Sequence, residues 1–223
     1  MRHIVASQNL LQAGPSLQPT FTDYRSPTLC QVLHKAAVLM FGGLQIEGNM
    51  VAIAIRQYVV FVTHDQEEAL TLSDTVAILD GGRIVQEGRP QQIYERPATR
   101  FAAAFLGDAN FFKGRVAGGG VEVADSLIRT GDPLPAAGTE AMLAVRPEKI
   151  RLHPAGIAGA GDNSLTGVVR QVIYAGAVST YFVDRPDGTA LKVLAQNREN
   201  TAVSPGDSVL LAWSAAHTVV IHE

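Results

Sequence analysis

The texture of the hydrophobic positions changes twice along the chain. From residue 1 to about 57 they are irregular, punctuated by Pro15, Pro19 and Pro27, and only the segment around Thr28 to Met40 has helical patterning. From Tyr58 to about Asn110 the patterning is tight. YVVFV is an unbroken run of β-branched and aromatic residues, which predicts a fully buried strand. DQEEALTLSD follows with helical spacing. Thr63 or Asp65 is its capping candidate, and Glu67 and Glu68 fall in the first turn, where free amides favour acids. TVAILD predicts a second buried strand, GG its turn and RIVQEG the returning partner of a hairpin. Pro90 opens a helix, PQQIYER, that Pro97 stops from outside. ATRFAAAFLG is a last helix, with Phe101, Phe105 and their alanine neighbours on one face and Gly107 at its end.

Beyond Phe111 helical periodicity disappears. FKGRV, AMLAVRP, LTGVVRQVIYA, STYFVD, ALKVLA and SVLLAW are short strand patterns separated by Gly, Pro, Asn and Asp turns, and RPDG at Arg185 to Gly188 predicts a hairpin turn. That many short strands in about a hundred residues predict a small barrel of the OB type. No internal repeat of fixed period is visible. The expected organisation is an unassigned segment over 1–57, an α/β piece over 58–110 and an all-β module over 111–223.

Composition narrows the function classes. With 223 residues, 47% hydrophobic and 17% charged, the chain can bury a core and is not of disordered composition. A formal net charge of -3 and the absence of a Lys/Arg block argue against nucleic acid as a partner. Cys30 is the only cysteine, which excludes a disulfide framework or thiolate metal cluster and fits a reducing cytoplasm. Ser7, Gln8 and Asn9 interrupt the apolar opening too early for a signal-peptide core, and no run approaches the roughly 18 apolar residues of a spanning helix. Any membrane role is therefore expected through a partner, without insertion of this chain.

The second region carries a specific resemblance. FVTHDQEEALTLSDTVAILDGGRIVQEGRPQQIYERPATRFAAAFLGDANFF is similar to the C-terminal part of the ATP-binding subunit of ABC importers, in the branch handling polyamines, sugars and ferric iron. The similarity runs nearly unbroken from Phe61 to about Arg115. AVRPEKIRL, NSLTGVVRQVIYAGAVSTYFV and PGDSVLLAW resemble the TOBE module that follows in the same branch. The fold class expected is thus an α/β remnant, the C-terminal piece of an ABC nucleotide-binding domain over 58–110, followed by an OB-like TOBE barrel over 111–223.

The resemblance makes His64 the switch histidine of the family's H-loop, which contacts the γ-phosphate of ATP. It is the one candidate for both the catalytic and the nucleotide-contacting role. An imidazole held at a strand end can donate a hydrogen bond to a phosphoryl oxygen and orient a water. Asp65 fits a helix cap better than chemistry. Family cofactors are ATP and magnesium, and family partners are membrane permease subunits and a second ATP-binding subunit, on the cytoplasmic side of the inner membrane.

The residues that would hold a nucleotide are missing from this sequence. The pattern G-x-x-x-x-G-K-[ST], whose backbone amides cradle phosphates, requires a Gly-Lys pair, and the sequence contains none. Asp80 ends an apolar strand, as a magnesium aspartate does, but Gly81 follows it, so Asp80 reads as a turn residue. Glu67 and Glu68 lie on the wrong side of His64 to be the catalytic glutamate. GGLQIEGNMVAIAI, from Gly42 to Ile55, echoes a signature segment with altered spacing, or is simply an apolar stretch. The expectation is a truncated transport subunit that binds no ATP, magnesium or other metal alone and has no ATPase activity alone. The alternatives are a regulatory or ligand-binding TOBE module, with Arg146, Arg170 and Arg198 either receiving an anion or merely solvated, and the product of a broken gene copy. A parallel sheet without its central strands would also leave YVVFV and TVAIL in need of another surface.

Overall fold

The computed structural model describes residues 2–7, 59–63, 65–156, 161–197 and 203–222. The expected helix over Thr28 to Met40 and the echo at Gly42 to Ile55 lie outside them. Two compact units divide the chain, 1–97 and 98–223.

The first unit is α/β. Strands β1 (Arg2–Ser7), β2 (Val59–Thr63), β3 (Thr75–Asp80) and β4 (Arg83–Gly88) form one sheet in the order β2-β1-β3-β4. β1 is parallel to both neighbours, and β4 returns antiparallel to β3. Both glycines of the connecting turn have positive φ, +55° at Gly81 and +77° at Gly82, as a tight two-residue hairpin demands. Helix α1 (Gln66–Leu72) joins β2 to β3 and buries Ala69, and α2 (Pro90–Glu95) buries Ile93. Pro90 stands in its first turn, where the missing amide costs nothing.

Two results differ from the pattern. The opening residues carry a strand that the weak patterning did not announce. Val62 is 58% exposed although YVVFV reads as fully buried; among the described strands β2 stands at the edge of the sheet, beside β1. TVAIL does behave as expected: Val76, Ala77, Ile78 and Leu79 are all buried.

The second unit is almost entirely β, as expected of the C-terminal module. It begins with helix α3 (Arg100–Phe105), followed by β5 (Asn110–Ala117), β6 (Gly120–Val123), β7 (Ser126–Ile128), β8 (Glu140–Val145), β9 (Arg151–Pro154), β10 (Asn163–Ala175), β11 (Val178–Asp184), β12 (Ala190–Gln196), β13 (Ser208–Trp213) and β14 (Thr218–Ile221). These make two five-stranded antiparallel sheets, ordered β14-β8-β5-β6-β7 and β12-β11-β10-β13-β9. Burial alternates residue by residue from Asn163 to Arg170, the signature of a strand with one face in the core. RPDG forms the β11–β12 turn: the Gly188 amide donates to the Arg185 carbonyl at 3.0 Å, and Gly188 has φ +83°.

The sheets share one plan. Each half of the unit supplies four strands to its own sheet, then a single 3-10 turn (Pro147–Lys149 or Ala215–His217), then a fifth strand that joins the other sheet. Both long strands also begin alike, Asn110 with Gly114 four residues on and Asn163 with Gly167 four residues on. Asn110 exchanges hydrogen bonds with the amide and carbonyl of Lys192, both 2.8 Å. Asn163 does the same with Arg129, at 2.7 and 2.9 Å. Each buried amide side chain thus imitates a backbone partner and ties its strand to the far edge of the opposite sheet. A Cβ on Gly114 would lie 1.9 Å from the Glu122 carbonyl oxygen, and one on Gly167 only 2.5 Å from Val183 Cγ1. The repeat escapes a fixed-period reading because the connections differ in length, so its period drifts after the first strand.

One continuous core joins the sheets. Trp213, 2% exposed, stacks on Phe112 at 5.8 Å between ring centres and donates its indole N–H to Thr218 Oγ1 at 2.9 Å. Leu143, Leu211, Val183 and Val193 pack in the same cluster, each side chain contributing roughly 1.5–3 kcal/mol by burial.

Helix α3 lies in the second unit, so the compact units part between Pro97 and Ala98, whereas the pattern of the sequence draws the boundary at 110/111. Ala103 packs against Met142, Ala144 and Ile221, and the His222 amide donates to the Ala98 carbonyl at 2.9 Å. A short helix with so small an apolar face is held by whatever sheet it covers.

Candidate functional site

The corner between β2 and α1 is fixed from both sides. Asp65 has an extended backbone and caps α1, its Oδ1 accepting from the amides of Glu67 at 2.8 Å and Glu68 at 3.1 Å. The Asp65 amide in turn donates to Thr63 Oγ1 at 3.0 Å, and that hydroxyl donates to Glu68 Oε2 at 2.8 Å. Thr63, Asp65 and Glu68 therefore close a ring of hydrogen bonds at the start of α1, satisfying amides that the helix leaves free. Asp65 performs the capping role expected of it. Glu68, in the first turn as the sequence predicts, also braces the corner through Thr63. His64 itself lies outside the described residues, so the flanks are what the structure adds to its reading.

Asp80 closes β3 against Arg83 in the hairpin, the turn position expected for it. Among the described residues no group of three His, Cys, Asp or Glu side chains gathers as metal ligands. A groove of about 960 Å³ runs beside Leu70, Asp74, Thr75, Arg89, Pro90, Gln91 and Tyr94. It lies along α1 and α2, and neither Thr63 nor Asp65 is among the described residues that line it. These residues do not assemble the donor set of a nucleotide phosphate and its magnesium ion.

In the second unit, Arg146 is neither an anion receiver nor solvated. It is 5% exposed, and its Nη1 faces three carbonyl oxygens, Ala103 at 2.8 Å, Asp108 at 3.0 Å and Gly107 at 3.3 Å. The guanidinium closes the C-terminal end of α3 and pins it to β8, a structural use of charge. Arg170 is exposed beside Asp184 at 3.6 Å and lies over the Phe182 ring. Arg198 lies outside the described residues. A cleft of about 900 Å³ separates the edge strands β9 and β12, lined by Glu148, Arg151, His153, Leu194 and Gln196 among others. His153 Nε2 is buried there without a hydrogen-bond partner.

With two sheets, exchanged final strands and a helix clamped by Arg146, the second unit has the architecture of a small β module, and its class is shown by comparison. Residues 143–221 match the TOBE domain, so the unit carries that domain. Over roughly 70–80% of its length the chain is similar to spermidine/putrescine import ATP-binding proteins PotA. The protein of Rubrobacter xylanophilus is 40% identical over 174 residues, which is 73% of this chain and 44% of that one. That of Thermobifida fusca is 38% identical over 190 residues, 80% of this chain and 48% of the relative. PotA 1 of Pseudomonas aeruginosa is 37% identical over 163 residues, 69% of this chain and 42% of the relative. The chain spans less than half the length of these relatives. Among solved structures, the cytoplasmic molybdate-binding protein ModG aligns with 50% of this chain and 94% of its own, at 19% identity and a TM-score of 0.40. No helix among the described residues is long and apolar enough to cross a membrane.

Proposed function

We propose that this chain serves an ABC importer as a C-terminal portion of its ATP-binding subunit, associating with the transport assembly without hydrolysing ATP by itself. The observation that carries the reading is a mismatch. Similarity to import ATP-binding proteins covers 73% of the chain in the Rubrobacter comparison, yet these 223 residues contain no Gly-Lys pair and hence no phosphate loop. Similarity to spermidine/putrescine import proteins supports polyamines as the solute class. Permease subunits and a second ATP-binding subunit are the partners, on the cytoplasmic face of the inner membrane. His64 keeps the place of the switch histidine, and its braced corner suits that role. ATP and magnesium would reach it only where residues beyond these 223 contribute a phosphate loop.

Two measurements test this. Purified chain should show magnesium-dependent ATP hydrolysis no greater than buffer, and it should co-purify with permease subunits of a PotA-type importer when expressed beside them. Hydrolysis at the rate of a complete ATP-binding subunit would overturn the first part, and failure to associate the second.

A second reading, a regulatory or ligand-binding module without enzymatic activity, is favoured by the continuous core of the TOBE-bearing unit and by the cleft between β9 and β12. Calorimetry with polyamines, sugars and oxyanions separates the two readings: heat from one of them on a chain that does not bind permeases selects the second.

A further inference from the structure

In the first unit, β2 and β3 follow one another through α1, yet they do not pair. The space between them holds β1, which is parallel to both in continuous register: Arg2 to Ala6 lie opposite Val59 to Thr63, and His3 to Ser7 opposite Thr75 to Leu79. Strands on either side of an intervening one stand about 10 Å apart, twice the spacing of neighbours. Without β1 neither could bond the other across that gap. For β3 the loss is partial, because β4 pairs with its other edge over Val76 to Asp80. For β2 the loss is complete among the described residues, where β1 is the one strand paired with it.

We propose that the slot between β2 and β3 is a strand-acceptor site for an extended, proline-free hexapeptide with an apolar, β-branched centre, running parallel to both walls, and that residues 2–7 fill it in cis. On this account RHIVAS holds β2 in the sheet, and with it the Thr63–Asp65–Glu68 corner at the start of α1. The segment suits the slot chemically. It contains no proline, so every amide can enter a ladder, and Ile4 and Val5 favour the extended backbone. The walls, VVFVT and TVAIL, are of the same kind and carry no charge. The connection over residues 8–58 far exceeds the dozen or so that a parallel crossover requires. The inference is independent of the transport reading, since it concerns how the corner is held and not what it contacts.

Hydrogen exchange on the full chain provides the test. Ile4→Pro removes an amide from the middle of β1 and should detach the segment. Amides of Val59 to Thr63 are expected to exchange at least tenfold faster in this variant, while those of Ser208 to Trp213 in the second unit keep their rates. A synthetic peptide of residues 1–8 added in trans should restore protection saturably, and the same peptide carrying I4P should not. Unchanged exchange in β2, faster exchange in both units, or no difference between the two peptides would each overturn the proposal.

Discussion

Arg146→Met gives the sharpest test of how the second unit is held. The substitution keeps most of the apolar stem and removes the guanidinium. Buried ion pairs can often be replaced by apolar groups without loss, because both charges disappear together. Here that escape is closed for three acceptors of its Nη1, the backbone carbonyls of Ala103, Gly107 and Asp108, which no side-chain change removes. A single nitrogen with two hydrogens faces three acceptors, so about two charge-assisted bonds are lost. The Ala103 bond is buried, and leaving its oxygen unpaired costs about 1–3 kcal/mol. Water can reach the other two carbonyls in part, adding roughly 1 kcal/mol, for a total of about 3 kcal/mol. With an unfolding entropy of about 2 cal/mol/K per residue over a unit spanning 98–223, Tm should fall by about 10 °C.

Trp213 is the only tryptophan and sits in the core of this unit, so its fluorescence reports the second unit alone. Arg115→Met is the control: Arg115 is exposed and donates to the Gly138 carbonyl at 2.9 Å, and its loss should cost no more than about 0.5 kcal/mol. A Tm for R146M within about 2 °C of the parent protein would refute the claim that this guanidinium pins α3.

Three further outcomes follow from the same geometry. Gly114→Ala and Gly167→Ala each drive a methyl into a neighbouring strand, so each should destabilise the second unit by about 1–3 kcal/mol or more in urea unfolding followed by Trp213 fluorescence. Equal stability to the parent protein would mean the strands can separate freely there. Asp65→Ala should cost the first unit about 1 kcal/mol, seen as faster amide exchange at Glu67 and Glu68 with Trp213 unfolding unchanged. Asp162 accepts from the Ala215 amide and the Ser214 hydroxyl, and these bonds hold its carboxyl below the ordinary value of 3.8. A lowered folded pKa means that the capping bond is fully present above the ordinary value and disappears as pH falls through the lowered one. The Ala215 amide resonance should therefore titrate with a midpoint below 3.8, and a midpoint at or above it would contradict the assignment.

What could be read from the residues is local chemistry. The Asp65 cap, the Gly81–Gly82 hairpin, Pro90 at the start of a helix and the turn at Arg185 to Gly188 each depend on a few adjacent residues whose backbone preferences act alone. Similarity along the second region and the TOBE segment was legible for the same reason, since spacing is preserved in the chain itself. Tertiary structure decided everything that joins distant residues. β1 took the centre of a sheet through partners more than fifty residues away, and a six-residue strand in an irregular context has no pattern strong enough to declare them. Short β6, β7, β9 and β14 show too few alternations to be seen before pairing, and the exchange of β9 and β14 between sheets has no local signal at all. Arg146 looks like any surface arginine in sequence. Only the fold brings three carbonyls to its guanidinium and turns a solvated charge into the clamp of a helix end.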